Sequence, residues 1–172
     1  FRDQSGPKVK EVGLYFEYKL YRANRTTKIS SEQFEAFESP NYPNLGESGV
    51  HLNFNDQWLA QPEPDQKLVI RKNFGANIMV LKLFPGISFA LIAYVLSYPN
   101  LEGVILETYG AGNAPTDEKF LKLIRQTIKN DIPIVNVTQC TSGSVLLGHY
   151  ETSVQLKQLG VISGRDITTE SA

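Results

Sequence analysis

The sequence predicts an α/β fold built on open parallel sheets, and three observations carry that prediction. From residue 67 onward, short apolar strand-like runs alternate with helix-length runs, the rhythm of β-α-β units whose crossovers are right-handed. The composition is that of an ordinary globular chain: 172 residues with 41% hydrophobic side chains, 13 Gly and 9 Pro, which excludes collagen, coiled-coil and disordered classes. Finally, a Pro-containing acidic stretch, Asp56 to Gln66 (DQWLAQPEPDQ), separates that rhythmic part from a polar, loop-rich part before it.

In chain order, the opening FRDQSGPKVK reads as a helix end and a turn leading into a strand. Val9 to Tyr18 reads as that strand, with Val12, Leu14 and Phe16 on one alternating face. A polar run, Tyr21 to Ser31, follows. Ser31 to Phe37 has the pattern of a short, Ser-capped amphipathic helix, Ser39 to Gly49 that of a loop, and Val50 to Phe54 alternates as a strand. Beyond the acidic stretch, Lys67–Arg71 and Asn77–Leu83 read as strands. Pro85-Gly86 makes a turn, and Ser88 caps a helix running to Leu96. Leu101–Thr108 is a strand, Thr116-Asp117-Glu118 opens a helix, Pro133–Val137 is a buried strand, and Val154, Leu156 and Leu159 mark a last helix. A sheet of this kind is expected to carry helices on both faces.

Charge and ends narrow the function class. With 17 Lys+Arg against 18 Asp+Glu, the net charge of -1 offers no field for nucleic acid or an anionic membrane surface. No apolar run reaches the roughly 18 residues of a membrane span. The 1 Cys, Cys140, rules out an internal disulfide and suits a reducing, cytoplasmic compartment. Nothing in the sequence calls for a metal or other cofactor. Both ends interrupt element patterns, as a fragment's would.

In parallel sheets, ligands gather where strands end, so three strand exits are the candidate sites. The first, Tyr21 to Lys28 (YRANRTTK), joins an amine, two hydroxyls and two guanidiniums. It reads either as a site where Lys28 assists a nucleophile's proton transfers or as a solvated polar loop. The second, Tyr109 to Pro115 (YGAGNAP), has the order strand, glycines, helix. It lacks the third glycine and the acidic residue of a dinucleotide site, leaving close backbone approach to a small ligand, with Asn113 offering an amide. The third, Thr138 to Ser144 (TQCTSGS), offers polar groups for a zwitterionic ligand. Cys140 as a nucleophile would need a histidine, and only His51 and His149 exist.

Taken in order, these exits resemble the type I (cytoplasmic) L-asparaginase family. The matching runs are LYRANRTTK at 20–28, FEAFESPNYP at 34–43, FPGIS at 84–88, ETYGAGNAPT at 107–116, VNVTQCTSGSVLLGHYETS at 135–153 and GVISGRDITTE at 160–170. The resemblance implies two α/β domains. Residues 1–55 are then the end of the N-terminal domain, 56–66 the linker, and 67–172 an incomplete C-terminal domain, assembled into homodimers or homotetramers in the full-length protein. It implies hydrolysis of L-asparagine to aspartate and ammonia by a threonine nucleophile with a Thr-Asp-Lys relay, without a cofactor. Lys28, in the RTTK motif, matches the relay lysine. The TGGTIG-like and HGTDT-like motifs that carry the other three groups do not occur in this sequence, so the segment alone is expected to be inactive.

The same resemblance implies further sites. Asn113 and Glu151 match groups that reach substrate in a neighbouring subunit. Thr27, Glu107, Gly112, Asn113, Thr138 and Cys140 match an allosteric asparagine site of some bacterial members. Glu107 departs from that pattern, standing where the bacterial enzyme has arginine; a carboxylate repels the effector carboxylate that arginine would grip. Two other readings stand beside the hydrolase: a non-catalytic asparagine-binding module of the same fold, and the glutaminase-like subunit of a tRNA-dependent amidotransferase.

Overall fold

A computed structural model describes residues 2–3, 6–7, 9–61, 69–70 and 72–172. The chain divides into two compact units, residues 1–72 and 73–170.

The first unit is antiparallel. Strands β1 (Arg2–Asp3) and β2 (Gly6–Pro7) pair with Arg2 opposite Pro7, where the sequence suggested a helix end. Gly6 and Pro7 are poor helix formers, and a short pairing uses the backbone groups a helix would have used. The run Val9 to Tyr18 is not one strand. Strand β3 (Gly13–Phe16) turns back into β4 (Lys19–Arg22) through Glu17 and Tyr18, whose φ values of 46° and 67° make a tight two-residue hairpin turn. No Gly, Asn or Pro marks this turn, so the alternating pattern runs through it unbroken. Strands β5 (Thr27–Lys28) and β6 (Phe37–Glu38) form a separate ribbon, with Thr27 opposite Glu38 and Lys28 opposite Phe37. Strands β7 (Gly46–Ser48) and β8 (Leu52–Phe54) complete a sheet of order β3-β4-β7-β8.

The helix expected over Ser31 to Phe37 is absent. Ser30 Oγ accepts the Glu32 and Gln33 amides at 3.2 and 3.0 Å, and the Ile29 amide reaches across to the Ala36 carbonyl at 2.8 Å. Such local side-chain bonding competes with a helix. Phe37, read as a helix residue, is a strand residue whose ring meets Phe16 edge-on at 5.0 Å.

Arg22 holds this unit together. Its guanidinium pairs with the Glu11 carboxylate, donates to the Trp58 carbonyl at 3.0 Å and lies 4.1 Å from the Tyr42 ring centroid. Glu11 also accepts the Ala60 amide at 2.6 Å, and Tyr42 Oη donates to the Trp58 carbonyl at 3.1 Å. Beside this cluster lies the apolar core of Leu20, Leu45 and Leu59. The acidic stretch begins with a single 3-10 turn, Asp56–Trp58; residues 62–68, which include its end and the start of the strand expected over Lys67–Arg71, lie outside the described residues, as does Arg71.

The second unit holds the parallel sheet. Strands β9 (Ile78–Lys82), β10 (Gly103–Thr108), β11 (Ile134–Thr138) and β12 (Ile162–Ser163) lie in the order β12-β11-β10-β9, every pair parallel. Helices α1 (Phe89–Leu96), α2 (Glu118–Lys129) and α3 (Glu151–Leu159) make the crossovers. Ser88 caps α1 by accepting the Leu91 amide at 3.4 Å, and Asp117 caps α2 by accepting the Lys119 amide at 2.8 Å. Each crossover steps one strand in the same direction, so right-handed connections put all three helices on one face, α1 against α2 and α2 against α3. This corrects the expectation of helices on both faces, which requires the strand order to reverse. Leu81, Val104, Leu106 and Ile134 pack on that face with Ile92, Phe120, Ile124 and Leu156. On the other face, Ile78, Val80 and Ile162 remain about half exposed.

Burial pushes the Glu11 pKa up, but the Arg22 hydrogen bond, the Ala60 amide and the Arg22 charge together hold it below the ordinary carboxylate value. A carboxylate with a depressed folded pKa stabilises the fold above its unfolded pKa, and that contribution is lost as pH falls through the folded value. Glu11→Gln is expected to lower stability by about 1–3 kcal/mol at neutral pH and to flatten the loss of stability on acidification below the ordinary carboxylate range. Urea unfolding followed by the fluorescence of Trp58, the sole tryptophan, at several pH values checks this. Equal pH dependence in both proteins would refute it.

Candidate functional site

In the first unit, the polar run after β4 is sorted by its backbone. The chain leaves Arg22 through one 3-10 turn, Ala23–Arg25. Thr26 is buried and its Oγ1 donates to the Arg22 carbonyl at 2.7 Å, so this hydroxyl closes the turn. Arg22 is committed to Glu11. What the ribbon then presents is Thr27, half-buried, and Lys28, exposed, on opposite faces by strand alternation. The next residues line a hollow of about 190 Å³ with Glu17, Lys19, Tyr21, Ile29, Glu35, Phe37 and Glu38. Burial raises the Tyr21 pKa; nearby Lys19 lowers it, while Glu35, Glu38 and Glu47 raise it further.

In the second unit, the polar residues gather where the parallel strands end. Where the strands end, Gln139 ties their carbonyls together: its Nε2 donates to Leu83 O at 2.6 Å and to Glu107 O at 2.9 Å, the latter also receiving the Leu83 amide at 3.0 Å, while its own amide reaches Thr108 O at 3.0 Å. One step deeper, Thr108 and Asn136 are fully buried and Thr108 Oγ1 donates to Asn136 Oδ1 at 2.7 Å. Thr138 Oγ1 accepts the Cys140 amide at 3.0 Å, which wraps the exit of β11 and leaves Cys140 exposed.

The exit of β10 is a closed loop. Tyr109 and Asn113 exchange backbone bonds at 3.0 and 2.8 Å, and the Gly112 amide also reaches Tyr109 O at 3.2 Å. Gly110 and Gly112 take φ of 50° and 113°, the left-handed region that glycine enters freely. Gly112 is also wedged: a Cβ there would lie 3.1 Å from Val145 Cγ1, 3.3 Å from Leu147 Cδ2 and 3.4 Å from Asn136 Nδ2. The loop is thereby seated on the 145–147 segment, whose Leu146 amide donates to Ala111 O at 3.0 Å.

The sequence-derived residues of this unit take three separate places. Asn113 sits at the loop's end, half-buried, with Thr152 Oγ1 donating to its Oδ1 at 2.6 Å. Glu107 stands on the helix-free face, where its carboxylate accepts Thr169 Oγ1 at 2.6 Å and pairs with Lys82 at 3.5 Å. Alternation puts Thr138, in register with Thr108, on the other face. Glu151 is the first residue of α3, and its side chain lies outside the described residues. Lys28 and Thr27 belong to the first unit. Among the described residues, no cluster of three or more His, Cys, Asp or Glu side chains could hold a metal ion.

Sequence reasoning missed Gln139, Thr152 and Ser153 as organising residues. One signal was available: Asn136 interrupts an apolar strand, and a buried amide requires a partner. Nothing in the spacing of GHYETS names Asn113 as the target of Thr152, since the two are 39 residues apart.

A parallel sheet with a closed, glycine-bearing loop and amide and hydroxyl groups at its strand exits defines an open α/β protein whose polar groups gather at one end of the sheet. Comparison with known proteins then gives the lineage. Residues 77–172 match the Glutaminase/Asparaginase C-terminal domain family and residues 3–60 the N-terminal asparaginase family, and the chain belongs to this asparaginase family. It is 39% identical to L-asparaginase 1 of Escherichia coli over 95% of its length and 48% of that protein's. It is 35% identical to a 60 kDa lysophospholipase of Mus musculus over 95% of the chain and 29% of that protein. L-asparaginase I of Vibrio cholerae superposes with a TM-score of 0.85 at 34% identity, over 95% of this chain and 49% of that one. The chain thus spans about half the length of the bacterial relatives, and the asparaginase-like α/β fold predicted from the sequence is the fold observed.

Two glycines with similar φ separate strain from crowding. Gly112 (113°) is wedged, while around Gly143 (107°) nothing lies within 4 Å of the place a Cβ would take. Gly143→Ala is expected to cost only the strain of a left-handed residue, about 1 kcal/mol, and Gly112→Ala about 1–3 kcal/mol more as Val145 and Leu147 are displaced. Thermal unfolding of both variants measures the difference; equal losses would sink the wedge argument.

Proposed function

We propose that this chain is a working part of an L-asparagine amidohydrolase, which converts asparagine and water to aspartate and ammonia. The observation that carries the reading is the collinear match to both asparaginase family models, with 39% identity to an enzyme named L-asparaginase 1 over 95% of the chain. Lys28 is the relay amine. Its position on a short ribbon, exposed and clear of the structural Arg22 and Thr26, supports that role. With the relay aspartate, Lys28 helps pass the proton that the threonine nucleophile gives up, as its oxygen attacks the amide carbon, on to the leaving nitrogen. Breaking the carbon–nitrogen bond releases ammonia, and water then frees aspartate from the enzyme ester.

In this reading, Asn113 and Glu151 face the substrate, and the boundaries are those of an N-terminal domain end (1–55), a linker (56–66) and a C-terminal domain (67–172). The protein acts in the cytoplasm as a homodimer or homotetramer. Leu91, Tyr94 and Tyr98, exposed on and just after α1, support association. For regulation through Thr27, Glu107, Gly112, Asn113, Thr138 and Cys140, the bonds of Glu107 to Lys82 and Thr169 favour an altered or absent effector response.

The test is ammonia release from L-asparagine by the 172-residue chain and by the same chain fused behind the part of E. coli L-asparaginase 1 that carries the threonine motifs. Only the fusion is expected to turn over, and Lys28→Met within it is expected to lower kcat by about 10²–10⁴-fold. Turnover by the short chain, or a fully active Lys28→Met fusion, would overturn the assignment.

A further inference from the structure

We propose that Thr152 is a positioning residue that sets which end of the Asn113 amide faces a ligand, an inference that rests on Asn113 facing substrate in the amidohydrolase reading. The loop's backbone bonds fix where Asn113 stands but leave its terminal torsion free. An asparagine amide has nearly the same shape in both orientations and opposite chemistry, a donor at one end and an acceptor at the other. A second contact must choose between them.

That contact is the Thr152 hydroxyl. Its 2.6 Å separation from Oδ1 suits an O–H···O bond and is short for N–H···O, so the hydroxyl donates to the amide oxygen and the amide nitrogen is turned away. Nδ2 then lies beside Gly110, an exposed residue, 3.8 Å from the position a Cβ there would occupy. The loop therefore offers a donor, suited to a carboxylate or carbonyl oxygen of an amino-acid substrate.

Thr152 is itself held rigidly. Its neighbour Ser153 is fully buried; its Oγ accepts the Gly148 amide at 3.1 Å and the Tyr150 amide at 3.2 Å, and donates to Tyr150 O at 2.9 Å. These three bonds fix the first turn of α3, and with it the hydroxyl that reaches Asn113. The contacts run from a buried serine to the helix start it holds, and from Thr152 on that turn to an amide 39 residues away in sequence.

Two readouts test this. In the 172-residue chain, the NMR side-chain amide pair of Asn113 is expected to be dispersed from free-amide values, because the Thr152 bond to Oδ1 holds the amide in one orientation. Thr152→Val is expected to collapse it towards free-amide values, and Thr152→Ser to leave it in place. An unmoved pair in Thr152→Val overturns the proposal whatever the enzyme does. In the fused enzyme, Thr152→Val is expected to raise KM for L-asparagine about ten-fold, the loss of one well-placed hydrogen bond, with Thr152→Ser within about two-fold of the parent on the same reckoning. Against Asn113→Ala the Thr152→Val effect is expected to vanish, as coupled residues require. An equal effect in both backgrounds, or equal damage from Val and Ser, marks a merely structural role and overturns the proposal. If Asn113→Ala alone leaves KM unchanged, the substrate-facing reading of Asn113 fails, while the NMR result still decides the Thr152 contact.

Discussion

Gln139 spans two strand ends with one amide group, and the polar architecture of the second unit follows from the constraint it answers. Where parallel strands end the ladder runs out, and the carbonyls there draw donors from beyond it; Glu107 O still receives the Leu83 amide, and Gln139 adds a second donor. Gln139 takes the carbonyls of Leu83 and Glu107; Thr108 and Asn136 take each other beneath it; Thr138 takes the Cys140 amide beside it. Each bond spends a polar side chain on the sheet's own backbone or on a buried neighbour. Beyond this closing lies the end of the Tyr109–Asn113 loop.

The first unit solves a similar problem with charge. Its core of Leu20, Leu45 and Leu59 is small, and the cluster of Arg22, Glu11, Tyr42 and Trp58 extends it. A bidentate guanidinium stacked on an aromatic ring joins residues from both ends of the unit and gives a short-stranded sheet a fixed edge. That use of Arg22 changes the meaning of the polar run that follows. Of the many charged and hydroxyl groups between Tyr21 and Lys28, Arg22 and Thr26 are engaged in holding the fold, and the ribbon carries Thr27 and Lys28 beyond them.

Glu107 illustrates how local pairing governs a site. The Glu107 carboxylate has intramolecular partners, an ammonium from the adjacent strand and a threonine hydroxyl. A ligand approaching this residue meets a group already engaged. Thr138, by contrast, lies on the opposite face by strand alternation, so the two residues belong to different surfaces of one sheet.

The strand–helix alternation of the second unit, the capping by Ser88, the helix start at Thr116-Asp117-Glu118, the parallel sheet and the family were all legible in the amino-acid order, because hydrophobic periodicity, caps and motif order are local properties written in contiguous residues. Ser31–Phe37 was misjudged, since Ser30 bonds its own backbone there and Phe37 is claimed by a strand partner. The hairpin turn at Glu17-Tyr18 was passed over because it lacks turn residues. Helices on both faces were expected because the direction of each crossover is not encoded in alternation; the strand order β12-β11-β10-β9 is what leaves one face covered. The pairing of Thr152 with Asn113, the seat of Gly112 against Val145 and the stitch made by Gln139 likewise came from the folded chain. Each joins residues far apart in sequence, and a hydrogen bond between distant segments leaves no period, cap or spacing to announce it.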